Sequence, residues 1–106
     1  MRIAIDYDFT YTADPDYWDA VIKLGRERGH KFICVTGREE PPGLDERQIP
    51  VEVICSPSRF KYSTALERGH VVDVWIDDAP GTIEPGRILQ WGEEDAALGV
   101  KEDGNG

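Results

Sequence analysis

The sequence predicts an α/β domain, a parallel sheet with helices on both faces. Three observations carry this. Short apolar runs alternate with segments of helical period, in the order strand, helix, strand, loop, strand, helix, strand. Those runs are apolar at consecutive positions, the pattern of strands buried on both sides. The runs also stop at residues able to do chemistry: Asp6, Thr36, Cys55 and the pair Asp77-Asp78. In open α/β sheets, ligands bind beyond the carboxyl ends of the strands.

Arg2 to Ile5 forms the first strand and runs straight into Asp6. Asp14-Pro15-Asp16 starts a helix, with Asp14 as N-cap, Pro15 at the first helical position and Asp16 at the positive end of the dipole. Trp18, Val21, Ile22 and Gly25 recur at helical spacing, so the helix spans 15–28 and Gly29 supplies a left-handed cap. Lys31 to Thr36 is the second strand. Glu39 to Pro50, rich in proline and charge, reads as a loop with one turn of helix at most. Val51 to Cys55 is the third strand. Arg59 to Arg68 is a short helix with Phe60, Thr64 and Leu66 turned partly inward and Gly69 as its cap. Val71 to Ile76 is the fourth strand, and Arg87 to Trp91 a fifth, at an edge. Glu-Arg-Gly-His occurs twice, at 27–30 and 67–70. It is one local solution for ending a helix and entering a strand, with His30 and His70 as cation-prone caps. Trp18, Trp75 and Trp91 are assigned to packing.

A chain of 106 residues holds one domain. Its expected extent is 1–92, with 93–106 as a flexible tail. No apolar run approaches the length of a membrane helix, about 20 residues. An acid at position 6 is incompatible with a signal peptide. Cys34 and Cys55 lie in apolar runs and read as buried thiols of a cytoplasmic protein. The net charge is −9, from 21 acids and 12 bases. Extended nucleic acid is thereby disfavoured, because each phosphate contact needs a base. A small phosphorylated substrate held through a metal ion is compatible with that charge.

Asp6 and Asp8 are alternate residues of an extended segment, so both carboxylates can face one site. If the first and fourth strands are neighbours, Asp77 and Asp78 join them. Such a cluster needs a cation, and all-oxygen ligands favour Mg2+. Thr36, followed by Gly37 and Arg38, offers a hydroxyl and backbone amides to a phosphate. Lys61, at the start of the second helix, can neutralise the same sheet edge. Tyr7, Phe9, Tyr11, Arg38 and Arg59 are candidates for the mouth of the site.

Asp6-Tyr7-Asp8-Phe9-Thr10, Val35-Thr36-Gly37-Arg38, Lys61 and Trp75-Ile76-Asp77-Asp78 stand in the order of four motifs. Together they resemble the haloacid dehalogenase-like (HAD) superfamily over roughly residues 1–80. The resemblance implies a Rossmann-like (HAD-like) sheet and a Mg2+-dependent phosphatase that hydrolyses phosphomonoesters through an aspartyl-phosphate. It makes Asp6 the nucleophile and Asp8 the general acid and then base. It makes Thr36 and Lys61 the phosphoryl-binding pair, with Gly37 and Arg38 beside them. The metal falls to Asp6, the Asp8 backbone carbonyl and an acid of the fourth motif. Asp78 is favoured as ligand, with Asp77 orienting Lys61 or a bound water, but the sequence does not separate the two acids.

Two departures stand out. Phe9 occupies a position where the family usually has glycine, at a tight turn. Only Phe9 to Asp14 separates the first strand from its helix, so no cap domain is inserted there. An open, capless site admits large substrates or is closed by a partner chain. Phe9 also motivates a second reading, a non-catalytic phosphate- or metal-binding module that retains the fold. A phospho-acceptor receiver domain is disfavoured, because its aspartate would follow the third strand, where Cys55-Ser56 stands.

Overall fold

The computed structural model describes residues 1–84. Strands β1 (Arg2–Ile5), β2 (Lys31–Thr36), β3 (Glu52–Cys55) and β4 (Val74–Ile76) form one parallel sheet in the order β3-β2-β1-β4. Helix α1 spans Pro15–Glu27 and helix α2 spans Lys61–Glu67. The chain builds outward from β1 to β3, then returns to place β4 on the other side of β1. The strand order therefore reverses beside β1.

Alternate strand residues enter two separate cores. Ile3, Ile5, Phe32 and Cys34 cluster with Ile22 of α1. Ala4, Ile33, Val35 and Ile54 cluster with Ala65 of α2. Both sides of β1 and β2 are thus apolar, which accounts for their unbroken hydrophobic runs. Trp18 packs against the first cluster and Trp75 against the second.

Local signals act as expected at the helix ends. The Asp14 carboxylate accepts a hydrogen bond from the Tyr17 amide, with Pro15 in the first turn. Gly29 and Gly69 take φ of +88° and +85°, and the amides of His30 and His70 close the last turns onto the carbonyls of Gly25 and Ala65, each at 2.9 Å.

The structure corrects several sequence expectations. Helix α2 turns Phe60 and Leu66 outward, at 41% and 48% exposure, and buries Lys61, Thr64 and Ala65 instead. The ion pairs of Lys61, described below, decide that rotation. Strand β4 starts at Val74 rather than Val71, and Val71 and Val74 are exposed. Within the described residues β4 is an edge strand, and it covers the two cores only in part, with Ile76 against the first and Trp75 against the second. Residues 39–50 are a loop, as expected, with one hydrogen-bonded turn from the Glu46 amide to the Gly43 carbonyl at 3.0 Å. They are pinned by the Tyr7 hydroxyl on the Arg47 carbonyl at 2.6 Å and the Tyr11 hydroxyl on the Gln48 carbonyl at 3.1 Å. Cys34 is buried, Cys55 is half-buried and both are free thiols. Burial pushes the Cys34 thiol up to about 12. Among the described residues, no helix is long and apolar enough to cross a membrane. The expected strand at Arg87–Trp91, Trp91 itself and the tail at 93–106 lie outside the described residues.

Gly25 marks the closest approach of α1 to the sheet. A Cβ there would lie 2.4 Å from Cε1 and 2.7 Å from Cζ of the buried Phe32 ring. Gly25→Ala should therefore lower stability by about 1–2 kcal/mol, because overpacking outweighs the roughly 1 kcal/mol gained in helix propensity. Urea unfolding measures this, and an unchanged or higher midpoint would show that the ring yields freely.

Candidate functional site

The register between β1 and β4 builds the site. Ile5 pairs with Ile76, and the Asp6 amide donates to the Ile76 carbonyl at 2.9 Å. The next residues, Asp6 on one strand and Asp77-Asp78 on the other, therefore emerge side by side at the carboxyl edge of the sheet. One carboxylate oxygen from each of Asp6, Asp77 and Asp78 lies within 4.8 Å of the others. Such a set can hold a metal ion.

Lys61 closes the cluster from α2. Its Nζ donates to Asp6 Oδ1 at 3.0 Å and to Asp77 Oδ2 at 2.6 Å, and the residue is only 4% exposed. The second Asp77 oxygen accepts from the Ala79 amide at 2.9 Å. Thr10 completes the ring, with its hydroxyl 3.3 Å from Asp6 Oδ2 and 3.1 Å from Asp78 Oδ1. Its oxygen also accepts from the Asp78 amide at 3.1 Å. Thr10 was not singled out as a site residue from sequence. The signal was its place at the end of the Asp6-Tyr7-Asp8-Phe9-Thr10 segment, four residues beyond Asp6.

Three carboxylates against one ammonium leave the cluster two charges short of neutrality. Burial pushes the Asp6 carboxyl up to about 6; Lys61 opposes the shift, and Asp78 and Asp77 add to it. Asp78 is held below the ordinary carboxylate range, first by its hydrogen bond with Asp6. Burial alone would lower Lys61, but Asp77 and Asp6 outweigh it and hold the ammonium above its ordinary value. A divalent cation ligated by oxygen would supply the missing charge.

Asp8 stands apart from this cluster. Arg38 grips it with a two-point fork, Nε to Oδ2 and Nη2 to Oδ1, both at 2.9 Å. The same guanidinium reaches Glu46 at 2.9 Å and 3.0 Å and lies 4.9 Å from the centre of the Tyr7 ring. Arg38, a candidate phosphate ligand by sequence, is thus committed to two carboxylates. Glu46 had no sequence signal, since its role depends on how the 39–50 loop folds back.

Thr36 is fully buried, and its hydroxyl accepts from the Arg38 amide at 3.3 Å. Gly37 lines an open cleft of about 380 Å³ beside Asp6, Lys61 and Asp77. Ser56, Arg59 and Phe60 are among its other walls. Arg59 is paired with Glu67 at 2.9 Å. Tyr7 and Tyr11, expected at the mouth, are buried core residues whose rings stack at 5.8 Å. Their hydroxyls reach loop carbonyls, which lets two large polar aromatics face inward.

Phe9 takes φ of +62° and is 80% exposed. The turn after Asp8 thus has the left-handed geometry that glycine accepts without strain, although phenylalanine occupies it.

No family model matches the chain, and searches of curated proteins and of solved structures return no match.

Two outcomes follow from this geometry. Phe9→Gly should keep or raise stability, by up to about 1 kcal/mol, because relieved strain offsets the greater freedom of the unfolded chain. A lower urea midpoint would mean that the exposed ring makes a stabilising contact. The second concerns pH. Folded Asp6 keeps its proton to about 6, whereas its ordinary value is 3.8. The folded state then binds the extra proton between those values, so this group lowers stability as pH rises through that window. A bound cation replaces the proton. A millimolar divalent cation should raise the unfolding temperature at pH 8 and do so much less at pH 5. Equal shifts at the two pH values would count against the cluster as the binding site.

Proposed function

We propose that this chain is a Mg2+-dependent, HAD-type phosphohydrolase that cleaves a small phosphomonoester through an aspartyl-phosphate. The observation that carries the reading is the meeting of Asp6 with Asp77 and Asp78 across β1 and β4, bridged by the buried Lys61. The four-motif resemblance supports it, as does the reversal of strand order beside β1. The two cores, one with α1 and one with α2, support helices on both faces of a Rossmann-like sheet. The direct link from β1 to α1, a single 3-10 turn at Tyr11–Ala13, supports a capless site.

In this reading an Asp6 oxygen attacks phosphorus and the bond to the leaving oxygen breaks. Asp8 gives that oxygen a proton. Asp8 then takes a proton from water as the water attacks the same phosphorus, and the bond to Asp6 breaks to release phosphate. Lys61 offsets charge on Asp6 and on the phosphoryl group. Gly37 offers its amide at the cleft, the buried Thr36 hydroxyl reaches the phosphate only if it turns outward, and Arg38 reaches it if it leaves Asp8. The oxygen-only donor set fits Mg2+, which Asp6, Asp78 and the Asp8 carbonyl would hold and which would withdraw charge from the phosphoryl oxygens. Asp78 is the most exposed of the three acids, whereas both Asp77 oxygens are engaged, so Asp77 serves Lys61. Free thiols and a need for Mg2+ suit a cytoplasmic setting.

The fork between Arg38 and Asp8 favours one other reading, a module that binds phosphate or metal without turnover. Hydrolysis of an aryl phosphate separates the two. Wild type should turn over with Mg2+ and stop with a chelator. Asp6→Asn should lose about a thousandfold or more in kcat. Asp8→Asn should still accept the phosphoryl group, slowly, and accumulate the phosphorylated protein. Wild-type rates no higher than those of Asp6→Asn would leave the binding module as the function.

A further inference from the structure

We infer that the amino edge of the sheet, opposite the acidic cluster, carries a binding site for a phosphate-like oxyanion. A pocket of about 320 Å³ opens there, and Arg2, Arg26, Lys31, His30 and His70 line it. These are three of the chain's 12 Lys and Arg residues and both of its histidines, in a protein of net charge −9. The only carboxylate among the lining residues is Glu52. Strand pairing sets part of this arrangement, since Arg2 is the register partner of Lys31. The two Glu-Arg-Gly-His turns set the rest, delivering one histidine from the end of α1 and the other from the end of α2.

Cations collect at helix C-termini, and that accounts for Arg26 and the histidines. It does not account for two polar atoms that the fold leaves without partners. Arg2 Nε and His70 Nδ1 are both buried with no hydrogen-bond partner. Arg2 starts a strand and caps no helix. The other ring nitrogen of His70 faces Glu52 at 3.5 Å. An oxyanion in the pocket supplies an acceptor for the Arg2 guanidinium and for a ring N–H of His70. The pocket has room for a phosphate with a small organic group attached. The inference does not depend on the phosphatase reading, because it uses none of the residues of the acidic cluster.

The two histidines make the test direct. No imidazole lies at the acidic cluster, so the His30 and His70 ring signals in an NMR titration report on the amino edge; His70 is the more direct reporter, because His30 Nδ1 also meets the amino terminus at 2.9 Å. His30→Asn and His70→Asn assign them. Inorganic phosphate added at constant ionic strength should move both signals to saturation, in wild type and in Asp6→Asn alike. Arg2→Gln should weaken that binding about tenfold or more, as loss of a charge-assisted hydrogen bond does. Arg26→Gln, which also gives up the hydrogen bond from Nη2 to the Pro50 carbonyl at 2.8 Å, should weaken it too, and a urea midpoint measured alongside separates lost binding from lost stability. A methylphosphonate that binds more tightly than phosphate marks an organic phosphate as the ligand, and equal binding marks free phosphate. Signals that stay still, that move equally with chloride, or that respond unchanged in both arginine variants would overturn the inference.

Discussion

Lys61 sits between Asp6 and Asp77, at 3.0 Å and 2.6 Å, with all three side chains almost wholly out of water. Placing one ammonium and two carboxylates in so dry a place costs several kcal/mol per ion, and only close pairing offsets it. Much of the structure can be traced to that constraint. Helix α2 must present Lys61 inward, and Phe60 and Leu66 face solvent as a result. Strand β4 must lie beside β1, because that register brings Asp77 to the ammonium. The Asp77 oxygen that does not meet Lys61 is held by the Ala79 amide, so the turn after β4 belongs to the same network.

The balance within the network is incomplete by design of its residues. Lys61 satisfies one oxygen of Asp6 and one of Asp77, while Asp78 brings a third negative charge against Asp6. Thr10 carries a single hydroxyl proton, which serves one of those two carboxylates at a time. Burial first, and then Asp78 and Asp77, hold Asp6 above its ordinary value, while the hydrogen bond with Asp6 holds Asp78 below its own. The three acids together form a set that can hold a metal ion. The loop at 39–50 contributes at a distance. The buried Tyr7 and Tyr11 anchor it, and Glu46 on that loop steadies the guanidinium that holds Asp8.

The sheet is also polarised along its strands. Acids crowd its carboxyl edge, where β1 and β4 end. Arginines, a lysine and both histidines gather at its amino edge, where α1 and α2 end. Parallel topology causes this segregation, since every strand begins at one edge and finishes at the other. The sorting is partial, since Glu52 and Asp73 share the amino edge and Lys61 and Arg38 pair with the acids beyond the carboxyl edge.

The sequence by itself determined the order of elements. Apolar runs, the Asp14-Pro15 cap and the glycines at 29 and 69 are local signals, and the chain obeys them locally. It also marked Asp6, Asp8 and Asp77-Asp78 as acids at strand ends, but Asp6 meets Asp77-Asp78 because the fold pairs β1 with β4, and Asp8 pairs with Arg38 instead. Only the tertiary structure decided the rest. Which face of α2 turns inward depended on ion pairs spanning 55 and 16 positions, and the apolar pattern pointed the other way. Whether Tyr7 and Tyr11 lie at a surface or in the core depended on carbonyls of a loop some 40 residues away. Arg38 could not be read as the partner of Asp8, since nothing local foretells where Glu46 returns. Local propensity acts over a few residues, but a buried charge is placed by whatever partner the whole fold carries to it.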